Sequence, residues 1–228
     1  MVVFFDIDGT LVDSDGAGLD AFVRGFAEVA GIKVEQVPPI ELGGAVDSAL
    51  LVELGASLGG SLRLRPEDFY PRYLECLREN LVSDRFAPRL LPGARELVAL
   101  CAETPGVTAG LITGNVRAGA QTKLDHFGLW EHFVLGGFGD DAEERSGVAK
   151  AGIQRALDAD CAGDVGDWWV LGDTPKDVLC ARENGVHAAA VASGSATIQE
   201  LETCRPDLLF KDLENPAEVF SRLWDWHS

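Results

Sequence analysis

The sequence predicts an α/β protein: a parallel sheet covered by helices on both faces, with a block of helices inserted after the first strand. Three observations predict it. From Leu91 onward short apolar runs alternate with helical segments, the pattern of a parallel sheet with crossover helices. Two of the runs, WWVL (168–171) and AAAVA (188–192), are apolar without interruption, as expected of strands buried on both faces. Between residues 15 and 88 no strand pattern is evident, only helical periodicity.

The elements follow in order. VVFF (2–5) is the opening strand. LDAFVRGFAEVAG (19–31) places Leu19, Phe22, Val23, Phe26 and Val29 at helical spacing, and Gly31 suits a stop. DSALLVELGASLGG (47–60) and PEDFYPRYLECLRENLVS (66–83) read as helices, the second opening on Pro66 at a first-turn position. Then PGARELVALCAE is a helix, VTAGLIT a strand, RAGAQTKLDHFG a helix, FVLGG a strand and VAKAGIQRALDAD a helix. WWVLGD is a strand, PKDVLCARENG a helix and HAAAVASG a strand. TIQELETC is a helix with a Thr197/Glu200 capping box. DLLF is the last strand and PAEVFSRLWDW the last helix.

Composition narrows the function. The 228 residues, 46% apolar, suffice for one domain with a sizeable insertion. A net charge of −18 argues against a nucleic-acid partner, and an anionic substrate would need local cations. Cys76, Cys101, Cys161, Cys180 and Cys204 stand singly, without a CxxC, as reduced thiols of a cytoplasmic protein would. The first apolar run lacks the length and basic flank of a signal peptide, and none approaches a membrane span. No membrane partner is expected, and the chain is read as a monomer or homodimer.

In open parallel sheets ligands bind beyond the carboxyl ends of the strands. The first strand ends in Asp6-Ile7-Asp8-Gly9-Thr10, the next in Thr113-Gly114-Asn115, and WWVL in Gly172-Asp173-Thr174-Pro175-Lys176-Asp177. Strand alternation starts Asp6 and Asp8 on one side, where like charges repel unless a cation, a proton or water intervenes. Such an oxygen-rich edge suits Mg²⁺.

In FDIDGTLVDSDG (5–16), LITGN (111–115) and VLGDTPKDVLCARENGV (170–186) the chain resembles the haloacid dehalogenase-like superfamily, and within it phosphatases similar to phosphoglycolate phosphatase. The resemblance implies a Rossmann-like core (1–14 and 89–228) with an α-helical cap (15–88). It makes Asp6 the nucleophile that forms an aspartyl-phosphate and Asp8 the acid and base. Mg²⁺ would be held by Asp6, the Asp8 backbone carbonyl and Asp173, with Asp177 either joining the metal shell or capping its helix. The Thr113 hydroxyl and Gly114 amide, with Asn115 beside them, would hold the phosphate of a small phosphorylated substrate, and Gly9 permits the turn. The lysine that usually follows the third strand is missing. Arg145, just before a helix, is favoured over Lys150 for that part. Gly44 and Asp47, between cap helices, would reach the substrate or simply form a turn. The cap is expected to hinge near 13–16 and 86–90, where Gly16, Gly18 and Pro88 punctuate the chain.

Blander readings cover other features. Asp13 and Asp15 are turn residues, since a calcium loop begun at Asp13 would put Arg24 at its twelfth place. Gly137-Phe138-Gly139-Asp140-Asp141 only imitates a dinucleotide fingerprint. His126, His132, His187 and His227 lack ligand spacing, and Trp168 and Trp169 read as sheet packing. Asp8 argues against a dehalogenase, the lack of any lysine between Lys33 and Lys123 against a cap Schiff base, and Thr10 with a histidine-free cap against a sugar phosphomutase. A catalytically idle binding or regulatory protein is the alternative from another class.

Overall fold

A computed structural model describes residues 1–40, 43–58 and 65–226. Glu41 and Leu42, the end of the 47–60 segment and His227 lie outside the described residues. The chain runs β1 (Val2–Phe5), β2 (Val12–Asp13), α1 (Ala17–Ala30), α2 (Asp47–Ser57), α3 (Pro66–Leu81), β3 (Arg89–Leu90), α4 (Ala94–Glu103), β4 (Thr108–Ile112) and α5 (Arg117–His126). It continues through β5 (Leu135–Gly137), α6 (Arg145–Asp158), β6 (Trp169–Gly172), α7 (Pro175–Glu183), β7 (His187–Val191), α8 (Ile198–Thr203), β8 (Leu208–Phe210) and α9 (Pro216–Trp224).

The main sheet has the order β5-β4-β1-β6-β7-β8, and every pairing is parallel. Strand order reverses about β1, with β4 on one side and β6 on the other, so β1 sits at the switch point where ligands bind. Alternation explains the uninterrupted apolar runs. Val3, Phe5, Ala109, Leu111, Trp169 and Leu171 enter one core cluster. Val2, Phe4, Ile112, Val170, Ala188 and Ala190 enter the other, across the sheet. The tryptophans pack as the sequence suggests: Trp168 edge-on to Phe4, Trp169 against His187 and Trp226.

The helices between β2 and β3 have a third cluster of their own, built on Phe22, Phe26, Phe69, Tyr73 and Leu77. Phe22 meets Phe69 and Tyr73 edge-on, at 4.8 and 5.4 Å between ring centroids, adding about 0.5–1.5 kcal/mol per pair beyond area burial. The two chain crossings between this insert and the sheet are tied together. Val12 pairs with Leu90 and Asp13 with Arg89 in a short antiparallel ribbon, and Asp13 and Arg89 also form an ion pair. Asp15 accepts from the Ala87 amide at 2.9 Å and is a turn residue as read; Asp13 is not, because it ends β2 and pairs with Arg89. The ribbon itself was not foreseen, because two residues are too few to show a period. Among the described residues no helix is long and apolar enough to cross a membrane, and the five cysteines are unpaired.

Candidate active site

Asp6 follows β1, and its amide continues the ladder by donating to Leu171 at 2.9 Å. Asp173 follows β6 and Asp177 lies in the first turn of α7. The register of the strands therefore delivers three buried carboxylates to one point, each with an oxygen within 4.8 Å of the others. Arg145, first residue of α6, is buried among them. Its Nη2 lies 2.8 Å from Asp6 Oδ1 and 2.5 Å from Asp177 Oδ1, and donates to the Ile112 carbonyl at 3.1 Å. Its Nε is buried without a protein partner. Lys150, by contrast, is exposed on α6.

One guanidinium does not balance three acids. Burial pushes the Asp6 carboxyl up, Arg145 pulls it down, and the charges of Asp177 and then Asp8 push it up again. Burial also pushes Asp173 up, helped by Asp6 and Asp177 and opposed by hydrogen bonds from the Ser195 amide and Thr10. Burial works against the Arg145 charge, but Asp177 and Asp6 outweigh it and hold the guanidinium above its ordinary value. Excess buried negative charge on oxygen donors is the environment a hard divalent cation fits. Asp177 already spends both oxygens, Oδ1 on Arg145 and Oδ2 on the amide and hydroxyl of Thr174. The capping role foreseen for it is present in the geometry.

For Asp8 only the strand alternation fails; it still lines the same cavity as Asp6. Its carboxylate is outside the acidic cluster, because β1 ends at Phe5 and alternation does not extend to residue 8. It takes a cation of its own. Lys123 Nζ reaches Asp8 Oδ1 and Oδ2 at 2.8 and 2.6 Å. Asn115 Nδ2 donates to Asp8 Oδ2 at 2.7 Å and to Thr113 Oγ1 at 2.9 Å. A hydroxyl that accepts keeps its own hydrogen to donate, so Thr113 retains a donor.

Two glycines are required by close approach. Gly9 has φ +83°, and a Cβ there would lie 2.5 Å from Asp173 Oδ2. A Cβ on Gly114 would lie 1.8 Å from the Ala45 carbonyl oxygen, so the loop ahead of α2 presses directly on the strand end. Asp47 fixes that loop. Its amide donates to the Gly114 carbonyl at 2.8 Å, and its Oδ2 accepts from the Val116 amide at 2.9 Å at the start of α5. Burial pushes the Asp47 carboxyl up to about 6, against the Lys123 charge and the Val116 hydrogen bond. Gly44 lies alongside, where a Cβ would be 2.8 Å from Thr174 Oγ1.

These groups surround a cavity of about 350 Å³. Asp6, Asp8, Gly9, Thr113, Gly114, Asn115, Arg145, Asp173, Gly44 and Asp47 all line it, and Asp177 stands behind Arg145. The insert adds Phe22, Leu50 and Tyr73. Sequence reasoning missed Lys123 and the turn after β7, where Ser193 Oγ donates to the Gly9 carbonyl at 2.8 Å and the Ser195 amide to Asp173 at 3.2 Å. Both left a signal. HAAAVASG ends a strand on that same edge, and Lys123 occupies a buried position beside Ala120 and Leu124 in the inward stripe of α5.

A parallel sheet with an acidic cluster at its switch point and side chains of a helical insert lining the same cavity defines an α/β protein whose site suits a divalent cation and an anionic ligand. Residues 3–182 match the family described as haloacid dehalogenase-like hydrolase, and the chain belongs to it. It is 29% identical over 233 residues to a protein of Dickeya dadantii named "Probable phosphatase IndB", covering 97% of this chain and 95% of that one. Among solved structures it resembles a predicted phosphoglycolate phosphatase of Haemophilus somnus, with 19% identity, TM-score 0.67 and coverage of 96% and 97%. It also resembles a hydrolase of Pseudomonas syringae, with 19% identity, TM-score 0.64 and coverage of 97% and 98%. At those identities the two structures speak for the fold.

Proposed function

We propose that the chain is a Mg²⁺-dependent phosphoric monoester hydrolase that cleaves a small phosphorylated metabolite, phosphoglycolate-like in size, through an aspartyl-phosphate on Asp6. The observation that carries this reading is the buried cluster of Asp6, Asp173 and Asp177 with the Arg145 guanidinium, at the switch point of the sheet. The relative named as a phosphatase supports it over nearly the whole chain.

Asp6, Asp173 and the Asp8 backbone carbonyl would hold the cation, with Asp177 behind them. When bound, it supplies positive charge that keeps Asp6 ionised and offsets repulsion between carboxylate and phosphate. Arg145 engages Asp6 Oδ1, leaving Oδ2 to attack phosphorus. As that bond forms, the phosphorus–oxygen ester bond breaks, its electron pair leaves with the substrate oxygen, and Asp8 passes that oxygen a proton. A water oxygen then attacks the phosphoaspartate and gives a proton to Asp8. The pair in the Asp6–phosphorus bond returns to Asp6, and phosphate departs. Thr113 and the Gly114 amide face the phosphoryl oxygens, and the unpartnered Arg145 Nε is a further donor on that side. The insert (15–88) acts as a lid whose Phe22, Leu50 and Tyr73 limit the substrate to what fits beneath them.

The test is Asp6→Asn. It should abolish Mg²⁺-dependent turnover of an aryl phosphate and leave no covalently phosphorylated protein after acid quench. Near-normal activity in this variant, or no activity of the wild type on any panel of phosphorylated metabolites, would overturn the reading.

A further inference from the structure

Lys123 is a lysine in a place built for an apolar residue. It lies in the inward stripe of α5 with Gly119, Ala120 and Leu124, and its side chain is 4% exposed. A methionine or leucine would satisfy that position without the desolvation an ammonium suffers there. The ammonium spends its donors on one small set of groups: both oxygens of Asp8, and Asn115 Oδ1 at 2.7 Å. Asn115 closes the ring by donating to Asp8 and to Thr113. The buried member of the pair is the lysine, whereas the Asp8 side chain is 40% exposed, toward the cavity. The ammonium is thus the anchored end and the carboxylate the end presented to a ligand. An ion pair serving only to dock α5 would have no need to end on a cavity-lining carboxylate.

Resting on the phosphatase reading above, we propose that Lys123 is the positioning residue for Asp8. It clamps both carboxylate oxygens from beneath, so that the same oxygen meets the leaving oxygen in the first half-reaction and the attacking water in the second. The two reactants occupy the same side of phosphorus in turn, and a fixed carboxylate serves both without reorienting. Displacement of a reacting group by roughly 1 Å costs on the order of a hundredfold in rate.

The experiment compares Lys123→Met, Asp8→Asn and the double variant, with Mg²⁺, on an aryl phosphate with a good leaving group and on a simple alkyl phosphate. The phenolate departs without a proton. In Lys123→Met, aryl phosphate should therefore give a burst of about one equivalent of phenolate and then slow turnover, because only the second half-reaction suffers. The alkyl phosphate should lose roughly a hundredfold in kcat with little change in KM. Placing Lys123→Met on Asp8→Asn should cost nothing further, because the lysine acts through that carboxylate. Equal fractional losses on both substrates without a burst, additive losses in the double variant, or wild-type rates in Lys123→Met would each overturn the proposal. If the near-ultraviolet circular dichroism of Lys123→Met departs from wild type, Lys123→Gln is measured against the same criteria. Retained turnover in Asp6→Asn is the separate outcome that would bring down the phosphatase reading and this one with it.

Discussion

Replacing Arg145 by alanine removes the only guanidinium that, among the described residues, pairs with the acidic cluster. The perturbation strips Asp6 Oδ1 and Asp177 Oδ1 of their partner and the Ile112 carbonyl of a donor. Breaking a buried pair by deleting one member costs about 3–5 kcal/mol, and a chain of this length loses about 2–4 °C in Tm per kcal/mol. The midpoint in EDTA at pH 7 should therefore fall by roughly 6–20 °C. Burial should make the loss insensitive to salt. The pH dependence has a definite sign. Arg145 is what pulls the Asp6 carboxyl down, so without it Asp6 binds its proton still more tightly in the folded state. A carboxyl raised by folding destabilises above its unfolded value near 3.8; the penalty is full above the folded value, shrinks as pH falls through it and is gone below the unfolded one. The deficit of Arg145→Ala relative to wild type should shrink between pH 7 and pH 5. Lys150→Ala, on the exposed face of the same helix, should stay within about 0.5 kcal/mol of wild type. Differential scanning calorimetry at the two pH values decides it. A midpoint near wild type for Arg145→Ala, or a deficit that grows on acidification, would refute the electrostatic account of the site. In activity, the same variant should lose about ten- to a hundredfold through the missing charged hydrogen bond, and Lys150→Ala almost nothing.

Two further outcomes follow from the carboxylates. The Asp47 carboxyl stands at about 6 against 3.8 when unfolded. At about 1.4 kcal/mol per tenfold change in proton affinity, its ionisation at pH 7 destabilises the fold by on the order of 3 kcal/mol. Wild-type stability relative to Asp47→Asn should therefore decline between pH 4 and pH 6 and be level outside that window, and chemical denaturation showing no such decline would refute the assignment. Asp173→Asn should be more stable than wild type in EDTA at pH 7, because it removes a carboxyl that burial, Asp6 and Asp177 hold far above its unfolded value. It should also lose most of the gain that Mg²⁺ gives wild type, about 2.7 kcal/mol at a hundred times Kd, and an undiminished Mg²⁺ gain on calorimetry would remove Asp173 from the metal site.

The fold and the acidic edge were legible for one reason. The strands are buried on both faces, so their apolar runs stop abruptly where the backbone reaches the ligand edge. VVFF stops at Asp6, TAGLI at Thr113 and WVLG at Asp173, and a register that aligns Phe5 with Leu111 and Leu171 brings those three stops together. Local pattern carries no such information about partners from elsewhere. Nothing near Asp8 announces a lysine 115 residues away. Extending strand alternation past Phe5 put Asp6 and Asp8 on one shared problem, whereas the fold gives each its own cation, Arg145 and Lys123. The position of Arg145 at the first turn of α6 was readable as a loop-to-helix boundary. That its side chain would be buried between Asp6 and Asp177 depended on where α7 lies beside α6.

Helix α5 joins the parts. At its start the Val116 amide is held by Asp47 from the insert, and two turns on, about 10 Å along the axis, Lys123 holds Asp8. Gly114, just before this helix, bears the Ala45 carbonyl at a distance no side chain would permit. The opening motion proposed for the lid must part Ala45 from Gly114 and take from the Val116 amide its carboxylate acceptor, leaving an orphan at a helix start where four amides already lack intrahelical partners. Closure restores that acceptor and seats the Asp47 charge near the Lys123 ammonium, which pulls the Asp47 carboxyl down against its burial. On the proposed function, lid closure and the fixing of Asp8 would draw on the same helix, and a substrate holding the lid shut would also hold the helix that carries Lys123.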